Sequence, residues 1–176
     1  MVWRGGARLS AGLQPAARAP AAPPWSTTAW VGAEADIGLA ELAGRVVVLH
    51  AFQMLCPACV QHGLPQAQRL HAYFPHDEVA VIGLHTVFEH HDAMKPVALR
   101  AFMHEYQIGF PVGIDAPAED AGDPLPRTMR AYGMRGTPTL ILIDRKGRLR
   151  RHAFGAEEDL AVGAAVATLL AEAPKD

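Results

Sequence analysis

The pattern of apolar and polar positions divides the chain into short apolar runs and stretches in which apolar residues recur every three or four positions. Val46 to Phe52 is β-branched and almost uninterrupted, as expected of a central strand covered on both faces. After Cys59, the apolar residues Val60, Leu64, Ala67, Leu70 and Phe74 fall near helical spacing, with Pro65 expected to kink the helix. Val79 to Leu84 reads as a second buried strand. Leu99, Phe102, Met103 and Tyr106 mark one face of a helix starting near Pro96. Phe110 to Ile114 is a weaker strand, because Pro111 and Gly113 suit only a sheet edge or a strand end. A Pro, Gly and acid-rich loop (Asp115 to Pro126) and a short helical segment (Thr128 to Tyr132) precede a hairpin. That hairpin pairs Leu140–Ile143 with Leu149–Phe154 across Asp144-Arg145-Lys146-Gly147, whose glycine suits positive φ. The last helix opens with Glu157, Glu158 and Asp159 and is apolar at Val162, Ala165, Val166 and Leu169.

The resulting order, β-α-β-α-β-α-β-β-α, describes parallel crossovers followed by an antiparallel hairpin. The fold class is therefore α/β, a mixed central sheet with helices on both faces. Residues 1–24 are rich in Ala, Pro and Arg and hold no acid, so they read as a flexible leader to a domain over 25–176. Gly5, Arg8, Pro15 and Arg18 interrupt every candidate secretory core, which points to a cytoplasmic protein, while the basic, acid-free composition also fits an organellar transit peptide and export stays open as a further alternative.

Composition narrows the function. Sixteen basic and eighteen acidic residues, net charge -2, give no global field for nucleic acid or an anionic membrane. The longest mainly apolar stretch, Leu160 to Ala171, is far short of the roughly 20 residues of a membrane-spanning helix. Two cysteines exclude a multi-bridge framework and a four-cysteine zinc site within the chain. They are Cys56 and Cys59, separated by Pro57-Ala58, at the junction of a strand's end and a helix's first turn. There the two side chains share one face, within reach of a disulfide. The first thiol meets unpaired backbone N–H groups that favour its thiolate, making Cys56 the expected nucleophile and Cys59 the resolving residue. Half of a metal site, completed by histidines, is the alternative use of such a pair.

The strand before the cysteines, Cys56-Pro57-Ala58-Cys59, and Gly136-Thr137-Pro138-Thr139 ahead of the hairpin resemble the thioredoxin superfamily. Ile37 to Arg45 and Leu142 to Gly147 are similar to its TlpA-like thiol-disulfide oxidoreductase and redoxin branch. The resemblance implies a thioredoxin-like fold and a cis Pro138 beside the cysteines, where the backbone of Thr137 pairs with substrate. It implies thiol-disulfide exchange with protein or small-molecule thiols and disulfides, and it requires no cofactor and no metal. Read without it, Pro138 is an ordinary trans proline at a strand start.

Several positions depart from the family pattern. Leu55 stands where a tryptophan commonly precedes the first cysteine, and His50 stands where thioredoxins carry a buried acid. His50 is a candidate proton relay, or else a buried strand histidine with one hydrogen bond. His62 replaces a glutamate common in TlpA-like proteins and is a candidate for tuning a nearby thiolate, or else a plain exposed histidine. His85, Glu89, His90, His91 and Asp92 are expected to form a solvated loop. Met54 is a candidate groove residue, with Met94, Met103 and Met134 in packing roles. Arg145, Lys146, Arg148, Arg150 and Arg151 are expected to make a charged sheet edge. The rival readings are a peroxiredoxin-like thiol peroxidase, for which Gln53 replaces the usual Thr or Ser, and a redox-inactive binding module.

Overall fold

The computed structural model describes residues 12–120 and 122–172. Its six strands are β1 Thr27–Val31, β2 Val46–Phe52, β3 Val79–His85, β4 Val112–Asp115, β5 Thr139–Ile143 and β6 Leu149–Phe154. They form one sheet in the order β1-β4-β3-β2-β5-β6. β2, β3 and β4 are mutually parallel, β5 and β6 form the antiparallel hairpin, and β1 runs antiparallel to β4. The helices are a π-helical turn at Cys59–Gly63 continuing into α1 Leu64–Tyr73, then α2 Pro96–Glu105, α3 Arg127–Ala131 and α4 Asp159–Ala171. Among the described residues no helix is long and apolar enough to cross a membrane.

Alternation along β2 feeds two cores, because successive side chains of a strand point to opposite faces. Val46, Val48 and Phe52 pack with Leu64, Leu99 and Val166 of the helices on one face. Val47, Leu49 and Ala51 pack with Leu42, Met129 and Tyr132 on the other. Every residue of β2 is buried, as its composition requires.

Three features differ from the sequence reading. β1 has a half-exposed, irregular pattern that carries no clear period, so the sequence alone does not mark it as a strand. By pairing with β4 it turns the expected edge strand into an inner one. Gly113 makes this possible, since a Cβ there would lie 2.8 Å from Thr27 Cγ2 and 3.1 Å from the Trp30 ring. Second, residues 14–22, within the expected leader, are tied to β6. Gln14 N–H donates to Arg150 O at 2.7 Å, Leu149 N–H to Pro20 O at 2.8 Å, and Ala21 bridges Arg148. Residues 1–11 of that leader lie outside the described residues. Third, the basic hairpin is not a solvated edge. Arg150 is buried and binds Asp144 Oδ2 at 3.1 Å, both carboxylate oxygens of Glu172 and the Gln14 carbonyl. Arg148 binds Asp144 and the Ala16 carbonyl. With its edge already covered by residues 14–22, β6 turns these cations inward to carboxylates and carbonyls.

Candidate active site

The cysteine segment is set by what precedes and follows it. Gln53 is buried; its side-chain oxygen accepts the Phe88 N–H at 3.4 Å, and its carbonyl accepts the Cys56 N–H at 3.2 Å, closing the turn off β2. The first helical bond runs from Val60 N–H to Cys56 O at 3.1 Å. The next turn is wide, with Leu64 N–H donating to Cys59 O five residues back. Pro65 is the physical reason: lacking an N–H, it cannot serve the Gln61 carbonyl in α-register.

Cys56 is partly exposed and Cys59 is fully buried. Both are reduced. The Cys59 N–H donates to Cys56 Sγ at 3.3 Å, and the Cys56 thiol points at the Thr137 carbonyl at 3.5 Å. Thr137–Pro138 is cis. Its loop is pinned on both sides, by the Thr139 hydroxyl donating to Gly136 O at 2.7 Å and the Gly155 N–H donating to Pro138 O at 2.8 Å. The structure therefore brings Cys56, Cys59, Thr137 and Pro138 together. Burial, followed by the hydrogen bond with Cys56, pushes the Cys59 thiol up to about 12.

His50 lies at the end of β2 beneath this segment. The space that a Cβ on Gly63 would fill is taken by its ring, with Nε2 2.4 Å from that position, and Pro138 borders the same space. Neither ring nitrogen of His50 has a hydrogen-bond partner among the described residues, and burial lowers its pKa to about 4. His62 points elsewhere. It is exposed and lines a polar cavity of about 410 Å³ with Gln61, Gln66, Arg69 and residues 156–159, which contains neither cysteine. Of the histidine-rich patch, Glu89 to Asp92 are exposed, whereas His85 belongs to β3 and is buried. Met54 is buried in the core rather than open to a groove.

Residues that went unmarked in the sequence also border the site. Gly63 gives no local signal, since its need is set by a ring thirteen residues away. Arg135 and Phe154 flank the cis-proline loop, and the sequence pattern marks Phe154 only as the end of a strand. A groove of about 940 Å³ between α1 and α4 is lined by Leu70, Tyr73, Leu160 and Ala167 among others and holds neither cysteine.

Residues 20–152 match the AhpC/TSA family. A crystal structure of a thioredoxin-like superfamily protein is 56% identical, with a TM-score of 0.85 over 89% of this chain and 100% of that one. A thiol-disulfide isomerase from Corynebacterium glutamicum is 46% identical, with a TM-score of 0.83 over 89% of this chain and 99% of that one. The thiol-disulfide oxidoreductase ResA of Halalkalibacterium halodurans is 28% identical over 127 residues. That match takes in 71% of this chain and spans 63% of the length of that relative. The α/β thioredoxin-like fold expected from the sequence is the fold observed.

Proposed function

Because the chain belongs to the AhpC/TSA family, within the thioredoxin superfamily, we propose that it is a thiol-disulfide oxidoreductase in which Cys56 attacks and Cys59 resolves. The observation that carries this reading is the asymmetry of the pair: an accessible sulfur receiving an N–H, and a buried thiol held protonated behind it. The relatives named as thiol-disulfide oxidoreductase and isomerase support it.

In the reducing direction, the Cys56 thiolate attacks one sulfur of a substrate disulfide, forming a Cys56–substrate bond and releasing the other half as thiolate. Capping Cys56 removes the second of the influences that hold the Cys59 proton, the hydrogen bond between the two sulfurs. Resolution is thus favoured once the mixed disulfide exists. Cys59 then attacks Cys56 Sγ, its proton passes to the departing substrate sulfur, and a Cys56–Cys59 disulfide remains. Protein or small-molecule disulfides enter this scheme alike, with Thr137 and Pro138 forming the wall beside the attacked sulfur.

His50 is a poor acceptor for the Cys59 proton. Burial lowers the imidazole to about 4 while it raises the thiol to about 12, so direct transfer is strongly uphill in the resting geometry. The departing thiolate is the better acceptor.

The test is trapping. Cys59→Ser incubated with a protein disulfide such as insulin should accumulate a mixed disulfide through Cys56, visible by mass and reversed by dithiothreitol, whereas Cys56→Ser should accumulate none. Peroxide consumption that survives in Cys59→Ser without any trapped adduct would favour the peroxidase reading instead.

A further inference from the structure

The cis-proline loop carries a cation that is unlike the other arginines near it. Arg145, Arg148, Arg150 and Arg151 of the hairpin all face carboxylates. Arg135, two residues before Thr137, is exposed and makes no ion pair among the described residues. Its guanidinium lies over the Phe154 ring, 5.3 Å from the centroid. A planar guanidinium laid on an aromatic face keeps its edge N–H groups free for a carboxylate.

The platform is rigidly joined to the site. A Cβ on Gly136 would come within 2.9 Å of Phe154 Cε2, so the ring is packed directly on the loop backbone. The Gly155 N–H, next in sequence to Phe154, holds the Pro138 carbonyl. Phe154 remains 48% exposed, and Leu55, immediately before the attacking cysteine, is 55% exposed. Two apolar side chains thus stay open to solvent on the face that presents Cys56. The segments 53–63 and 133–139 that build this face contain no Asp or Glu. The nearest acid beyond Phe154, Glu157, is bound to Arg151.

We propose that Arg135, held over Phe154, selects polypeptide substrates with an acidic residue close to the reacting cysteine, its guanidinium pairing with that carboxylate while Leu55 and Phe154 cover apolar neighbours. The proposal rests on the thiol-disulfide reading and specifies its substrate class. It adds no step to the chemistry. Opposite charge at the rim of a contact acts mainly on encounter and choice of partner.

The test uses two ten-residue peptides that differ only in having Asp or Lys on both sides of a single cysteine, each as its mixed disulfide with 2-mercaptoethanol. The rate with the reduced protein is divided by the rate of the same peptide with dithiothreitol, which cancels the peptides' own reactivity. For the unaltered protein the Asp peptide should be favoured about fivefold at low salt. Arg135→Gln should bring the ratio near one and Arg135→Glu should invert it; Phe154→Leu, which removes the platform and keeps the charge, should reduce it. Equal ratios in all four proteins would overturn the acidic subsite. Exchange of the unaltered protein with uncharged hydroxyethyl disulfide separates the two levels. If that exchange proceeds while the peptide ratios stay flat, the subsite alone is wrong; if it is absent, the thiol-disulfide reading falls with it.

Discussion

Gly63 and His50 show how a single missing methyl group shapes the site. The imidazole occupies the volume that any other residue at 63 would need, so the cysteine-bearing turn can approach β2 only with glycine there. Gly63→Ala should cost about 1–3 kcal/mol in urea unfolding, because a Cβ 2.4 Å from a ring nitrogen forces a backbone shift. In His50→Ala much of that penalty should vanish, a non-additivity that a double-mutant cycle reads directly. His50→Leu tests the other side of the same residue. Removing a buried imidazole without partners should leave stability equal or higher, and insulin reduction should stay within about threefold. A drop of tenfold or more in the resolving step would instead make His50 the base. The sequence marks His50 as unusual, but burial, which fixes its charge state, becomes visible only when Gly63 and Pro138 are seen to close around it.

At the scale of elements, the strands and helices with strong periods stand where their patterns put them, including β2, β3, α2 and the hairpin turn with Gly147 at φ 74°. The cysteine pair was legible for the same reason: a strand's end and a helix's start are local features. What the sequence hid depends on pairing between distant segments. β1 has no period of its own and exists because β4 offers it an edge. The hairpin arginines look like a solvated fringe until residues 14–22 and Glu172 close over them. Arg150 illustrates the energetics, since it sits between Asp144 and Glu172 with its side chain only 4% exposed. Arg150→Met should destabilise the protein by about 3–5 kcal/mol, leaving Asp144 buried with one fewer counter-charge. Thermal unfolding checks this, and a fall in Tm of less than about 2 °C would mean that the cluster is solvated in solution.

For the whole molecule, two buried histidines set the response to acid. His50 and His85 are both lowered by burial from 6.5 to about 4. The unfolded chain therefore binds protons below about 6.5 that the folded protein refuses until about 4, and stability falls as pH falls through that window. Each histidine accounts for a loss of roughly 3 kcal/mol by the bottom of it. Urea midpoints measured from pH 7 to 4 should drop steeply below 6.5, and His85→Leu should flatten the slope. A pH-independent midpoint across that range would show that neither ring is buried neutral. The same sheet that encloses these rings carries the cysteine turn at the end of β2 and the cis-proline loop at the start of β5, neighbouring strands whose antiparallel pairing sets Thr137 against Cys56.

That juxtaposition leads to the central claim, that Cys56 and Cys59 act as one two-electron unit. The direct measurement is to equilibrate the protein in graded mixtures of reduced and oxidised glutathione, quench with acid, alkylate the remaining thiols and weigh the products. Both thiols should disappear together, giving only the dithiol and the intramolecular disulfide at equilibrium. Glutathione accumulating on Cys56 while Cys59 stays reduced would contradict the account.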